Sequence, residues 1–306
     1  MALWAISFAN ADDAPLATAA APQEISTESE PPTASEPAIE NVSENVALAG
    51  AQNEADVDVD DEDDIGDQAG KITATYFGIF YGPSVSKPTS FQPTEDGSQD
   101  SNRPVMLKNF AGVGYNLTDH LRITPTAYWQ WLPSAGGAYA VQDPFVKISD
   151  DSIISEGNFN LYGDFRYHAP ISNFSKAANI TGSYQSVQVA TYVPEGTRWM
   201  LALFSSERAY TYGKGGYGND FEVYVGPNVG YQISPRVQLT MLYETNLVHV
   251  YGNNPGTMEG DGTDLQPGVS VDITNRLNVH PYLSIYPSAP SIASTSVGAL
   301  LYWQAF

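Results

Sequence analysis

Over the last eighty-odd residues apolar and polar positions alternate. Phe221, Val223, Val225, Pro227, Val229, Tyr231 and Ile233 share one parity, as do Leu265, Pro267, Val269, Val271 and Ile273, and then Leu277, Val279, Pro281, Leu283 and Ile285. Between them stand Glu222, Asn228, Gln232, Gln266, Ser270, Asp272, Asn278, His280 and Ser284. A period of two turns successive side chains to opposite faces of a strand, so each segment predicts a strand with one apolar and one polar face. Two architectures use such strands. In a soluble sandwich the polar face meets water, whereas in a barrel set in lipid the apolar face looks outward and the polar face lines the interior.

The connections favour the barrel. Ser234-Pro235-Arg236 and Thr274-Asn275-Arg276 are short polar turns, whereas 252–263 is a longer stretch rich in Gly, Asn and Asp. Short turns at one end and long loops at the other are the asymmetry of membrane barrels. The chain then ends within a strand, Leu300-Leu301-Tyr302-Trp303-Gln304-Ala305-Phe306. A terminal aromatic preceded by apolar residues at alternate positions, here Phe306, Tyr302 and Leu300, resembles the C-terminal insertion signal of Gram-negative outer-membrane β-barrels; Gln304 departs from it. The resemblance implies an all-β, closed, antiparallel transmembrane barrel of porin-like type. It also implies assembly by the barrel-assembly machinery through the last strand, with outer-membrane lipid and lipopolysaccharide as surroundings.

The same grammar runs upstream. Strands are predicted at 71–82, 105–116 and 121–132, with a loop at 83–104 and a turn at 117–120. Leu121, Ile123, Pro125, Ala127, Trp129 and Trp131 face one way, opposite Arg122, Thr124, Thr126 and Gln130. Keeping every short turn at one end requires two strands between 136 and 170. They are expected at 141–149 and 157–168, joined by a turn at Asp150-Asp151-Ser152. A loop at 173–180, a strand at 182–193, a turn at 194–197 and a strand at 198–212 follow, and the total is twelve strands, an even number as single-chain barrels require.

Composition separates this region from what precedes it. Residues 1–70 hold 17 of the 35 acidic residues and no Lys or Arg, which leaves 18 acids against 13 bases from Lys71 onward. The net charge of −22 thus divides into −17 and −5. Acidity of that kind argues against a nucleic-acid partner. Residues 1–11, apolar and ending in Ala9-Asn10-Ala11, read as the remnant of a signal peptide. Residues 12–70 read as a disordered segment, periplasmic in the barrel reading, since so few apolar residues cannot offset the entropy of ordering. Asp56, Asp58 and Asp60 mimic the start of a calcium loop, but Asp61 stands where that loop needs Gly and Asp67 where it needs Glu. No metal site or cofactor is expected. The barrel domain is 71–306.

Candidate chemistry lies on the polar face, where Lys108, Arg122, Asp164, Arg166, His168, Glu222, Glu244 and Asp272 would line the interior. They could pair into a plug or border a path for small solutes. Glu207 and Arg208 are adjacent, so only one can point inward. Among the four histidines, His168 with Asp164 is the best acid–base pair, yet residues four apart on a strand are separated by ~13 Å of rise. With no Gly-x-Ser-x-Gly elbow either, no catalytic residue is assigned and the chain is expected not to be an enzyme. The expected function is a narrow porin-like channel for small solutes, or a mainly structural barrel with surface loops. The alternatives are a soluble or secreted sandwich that binds carbohydrate on its aromatics and, behind it, an outer-membrane hydrolase.

Overall fold

The computed structural model describes residues 71–133, 137–254 and 256–305. They form β1 (Ile72–Ser84), β2 (Phe91–Pro93), β3 (Gln99–Pro104), β4 (Met106–Asn116), β5 (Leu121–Leu132), β6 (Ala138–Val141), β7 (Phe145–Glu156) and β8 (Phe159–His168). After a short helix, α1 (Asn173–Ala177), come β9 (Ile180–Tyr192), β10 (Trp199–Tyr212), β11 (Asn219–Ser234), β12 (Val237–Val250), β13 (Glu259–Thr274), β14 (Leu277–Ser284) and β15 (Ser296–Gln304). The expected signal remnant and acidic segment lie outside the described residues, as does Phe306.

The strands close into an antiparallel barrel. Each long strand pairs with its neighbour in sequence, and β1 joins β15 through Phe77↔Tyr302 and Ile79↔Leu300. β6 and β7 share one position: β6 pairs with the far half of β5 (Trp131↔Tyr139) and β7 with the near half (Ile123↔Ile148). With the β2–β3 hairpin set aside as loop structure, twelve strand positions remain. Turns of two to six residues, 117–120, 157–158, 193–198, 235–236 and 275–276, lie at one end together with both ends of the described barrel.

Face assignment decides between barrel and sandwich. Along β12, Thr240, Leu242, Glu244 and Asn246 are buried, whereas Leu239, Met241 and Tyr243 are 44–48% exposed on the outside. Leu201, Leu203, Val229, Ile148 and Phe165 repeat the pattern on other strands. So wide an apolar exterior around a polar interior is stable in hydrocarbon and a liability in water. Trp199 packs at a tilt against Tyr231 with centroids 4.8 Å apart at the short-turn end of the outer face, the place of an interfacial girdle. Tyr128, Tyr210 and Tyr302 instead turn inward.

The middle of the chain departs from expectation. Asp150-Asp151-Ser152 does not turn; it lies within β7, where the pairing with β8 slips between Asp150↔Gly163 and Ile154↔Leu161 and bulges the strand. The reversal comes at Gly157-Asn158, where Gly157 has φ +57°, a left-handed conformation suited to glycine. Acidic and hydroxyl residues resemble a turn in composition, but here Asp150 accepts from the Ser152 N–H at 2.9 Å and Asp151 reaches Arg122 at 3.8 Å. The loop expected at 83–104 contains the β2–β3 hairpin, and that at 173–180 contains α1.

Candidate functional site

The interior is polar yet packed. Two apolar clusters brace it: Phe77, Ile79, Tyr81, Met106, Phe110, Tyr128, Phe145, Tyr282 and Leu300 on one side, and Tyr162, Val189, Phe204, Tyr224 and Leu242 on the other. Phe110 and Tyr128 stack at 4.4 Å. Between and around them sit the charges, of which Lys108, Asp164, Arg166, His168, Glu222 and Glu244 are buried at inward positions. Water filling a wide lumen would leave such side chains exposed. Their burial makes this interior narrow.

On β8 the residues two apart meet. Arg166 donates through Nε to Asp164 Oδ1 at 2.8 Å and through Nη2 to Oδ2 at 2.9 Å, and the Tyr162 hydroxyl donates to the same Oδ2 at 2.6 Å. Such two-point pairing is the strong form of an Arg–carboxylate contact. The guanidinium also lies 5.4 Å from the centre of the Phe145 ring. His168 does not join Asp164; its Nε2 lies 3.0 Å from Gln185 Oε1, and Gln185 Nε2 donates to Ser206 Oγ at 2.9 Å.

A second group forms on β10 and β11. Arg208, not Glu207, points inward; it donates to Ser183 Oγ at 2.9 Å and stands across from Glu222 in the strand register. Glu222 accepts from Tyr210 at 3.3 Å and Asn219 at 3.2 Å. A third group is acidic: Glu244 and Asp264 are cross-strand partners, bridged by Gln266 Nε2 at 3.3 and 2.9 Å, with Ser284 Oγ donating to Asp264 at 2.8 Å. Lys108 lies 5.0 Å over the Tyr81 ring.

Towards the short-turn end the interior opens into two cavities. One of about 50 Å³ is lined by Arg122, Lys147, Asp151, Tyr302 and threonines of β1 and β5. The other, about 290 Å³, is lined by Met200, Gln232, Gln238, Ser270, Asp272 and Asn278 among others. The sequence reading missed Lys147, Asp151 and Asp264. Lys147 and Asp264 share parity with inward neighbours Ser149 and Gln266, a signal that was present, whereas the bulge hid Asp151. Of the insertion-signal residues, Leu300 packs inside the first apolar cluster and Tyr302 lines a cavity, while Trp303 faces outward.

No protein-family model matches the chain, and no curated protein matches it. Among solved structures the chain is similar to the COG4313 outer membrane channel from Pseudomonas putida F1, with a TM-score of 0.50 at 14% identity over 81% of this chain and 99% of that one. OmpT, an outer membrane protein of Vibrio cholerae in its trimer form, gives 0.37 at 8% identity over 76% of this chain and 98% of that one. The likeness is one of fold: among the described residues the chain is a closed, twelve-stranded antiparallel β-barrel. The expectation that it is not an enzyme is corrected here. A barrel fold by itself places no bar on catalysis, so that exclusion is dropped.

Proposed function

We propose that the barrel is a narrow channel for small polar solutes, with the pairs around Asp164–Arg166 and Arg208–Glu222 and the carboxylates Glu244 and Asp264 bordering its path. The observation that carries this reading is a charged, hydrogen-bonded interior opening into polar cavities. Buried charge is costly even when paired, and a purely structural barrel could fill its interior with apolar side chains instead. Lys108, Arg122, His168 and Asp272 belong to the same lining. In this reading residues 12–70 are periplasmic, and the last strand, with Leu300, Tyr302 and Phe306, engages the assembly machinery; lipopolysaccharide meets the long-loop end.

Single-channel recording in planar bilayers tests it, with the full chain compared with one lacking 12–70. Discrete steps from both establish a channel, and steps only after deletion make the acidic segment its plug. Bilayer-inserted, heat-modifiable protein that never conducts would favour the structural barrel.

A further inference from the structure

The outer face is apolar on most strands, but polar residues interrupt it midway along β9 and β10. Ser186, Gln188, Ser205 and Glu207 share the parity of outward-facing Leu201, Leu203 and Tyr184, and the strand register sets them side by side as Ser205↔Gln188 and Glu207↔Ser186. Aromatics bracket the four: Tyr192, Trp199 and Tyr231 towards the short turns, Tyr184 and Phe221 towards the loops. At ~3.3 Å per residue and a ~45° tilt, Glu207 stands ~19 Å above Trp199, within an apolar band ~25 Å tall. Lipid tails there offer no hydrogen-bond partner to a carboxylate.

The four residues satisfy one another only in part. Ser205 Oγ lies 2.7 Å from Glu207 Oε1 and 2.9 Å from Gln188 Oε1, and Gln188 Nε2 donates to Ser186 Oγ. Among the described residues this leaves one Gln188 amide hydrogen, the Ser186 hydroxyl hydrogen and Glu207 Oε2 unused. Asn109 shows how the lone barrel hides an outward polar group: the Tyr76 hydroxyl donates to its Oδ1 at 2.7 Å and covers it, while its amide donates to the Leu107 carbonyl at 2.9 Å. Glu207 has no such cover.

We propose that a second copy of this chain docks on this face, related by a two-fold axis along the membrane normal. The unused groups are complementary to themselves: two donors and one anionic acceptor on each copy meet the acceptor and donors of the other. A two-fold contact uses one patch twice and needs nothing else on the surface. Alanines 190 and 209, which flank the four on the same strands and face, let the barrels approach closely.

The chain has no cysteine, so single cysteines report contacts without background. Full-length Ser205→Cys and Ser186→Cys, with Leu283→Cys on outward β14 as the control, are placed in phosphatidylcholine vesicles and oxidised. The expected result is a disulfide dimer for the two patch variants and at least tenfold less for the control, with native chain sedimenting as a dimer in mild detergent. Glu207→Gln, which preserves the fold's own hydrogen bonds, is expected to weaken dimerisation about tenfold, and Gln188→Leu with Glu207→Leu to abolish it while heat-modifiability persists. Equal cross-linking at Leu283→Cys, no cross-linking at either patch position, or a monomeric native chain overturns the proposal.

Discussion

Asp164 shows what one inward residue is asked to do. It accepts two hydrogen bonds from Arg166 and one from Tyr162 in a closely packed part of the interior, so removing one member of the ion pair strands the other. Asp164→Leu is expected to lower stability by about 3–5 kcal/mol, whereas Asp164→Leu with Arg166→Met costs far less, because no unpaired charge is left behind. Urea unfolding of vesicle-inserted protein, followed by tryptophan fluorescence, measures both. Outside the membrane, Asp96 at the tip of the β2–β3 hairpin behaves differently. The Thr94 hydroxyl, with help from Ser98, holds its carboxyl down at about 2. Since the ordinary carboxyl value is about 3.9, its contribution to the hairpin is fully present above pH ~4 and is lost as pH falls through about 2. NMR titration of the Asp96 carboxyl carbon checks this, and Thr94→Ala should move the midpoint upward.

Elements close on one another through close approaches as well as hydrogen bonds. At Gly298 on β15 an added Cβ would lie 2.2 Å from Tyr282 Cζ on β14, in the body of the ring rather than at a flexible tip. Gly298→Val is therefore expected to push Tyr282 out of the interior cluster and to reduce the heat-modifiable barrel fraction severalfold. Tyr282→Ala should recover much of that loss in the double variant, since residues in contact are not additive. A double variant no better than the single would place the defect elsewhere. The β7 bulge is the contrasting device, with extra residues on one strand bending it locally where β8 runs straight past.

For the whole molecule, the balance of interior charge sets what can pass. Glu244 and Asp264 stand together on one wall, whereas Arg166, Arg208 and Lys108 are engaged with Asp164, Ser183 and the Tyr81 ring. Replacing them by Gln and Asn removes two carboxylates at little change of shape. In a bilayer under a salt gradient, the reversal potential of that variant should shift towards anion selectivity. An unchanged potential would mean the conducting path runs away from this wall.

Period-two alternation determined most of the strands, their two faces and their even number, because the direction of a side chain from a strand is a local property. Parity likewise put Lys108, Arg166 and Glu244 on the polar face before any contact was known. Which way that face turned, inward under an apolar exterior, only the closed barrel decided. Closure also decided that Arg208 rather than Glu207 points in, that Asp150-Asp151-Ser152 bulges instead of turning, and that aromatics of β1, β4, β5, β7 and β14 fill much of the interior. Each of these depends on register between strands and on side chains reaching across the barrel, and neither is written in the spacing of residues along one strand.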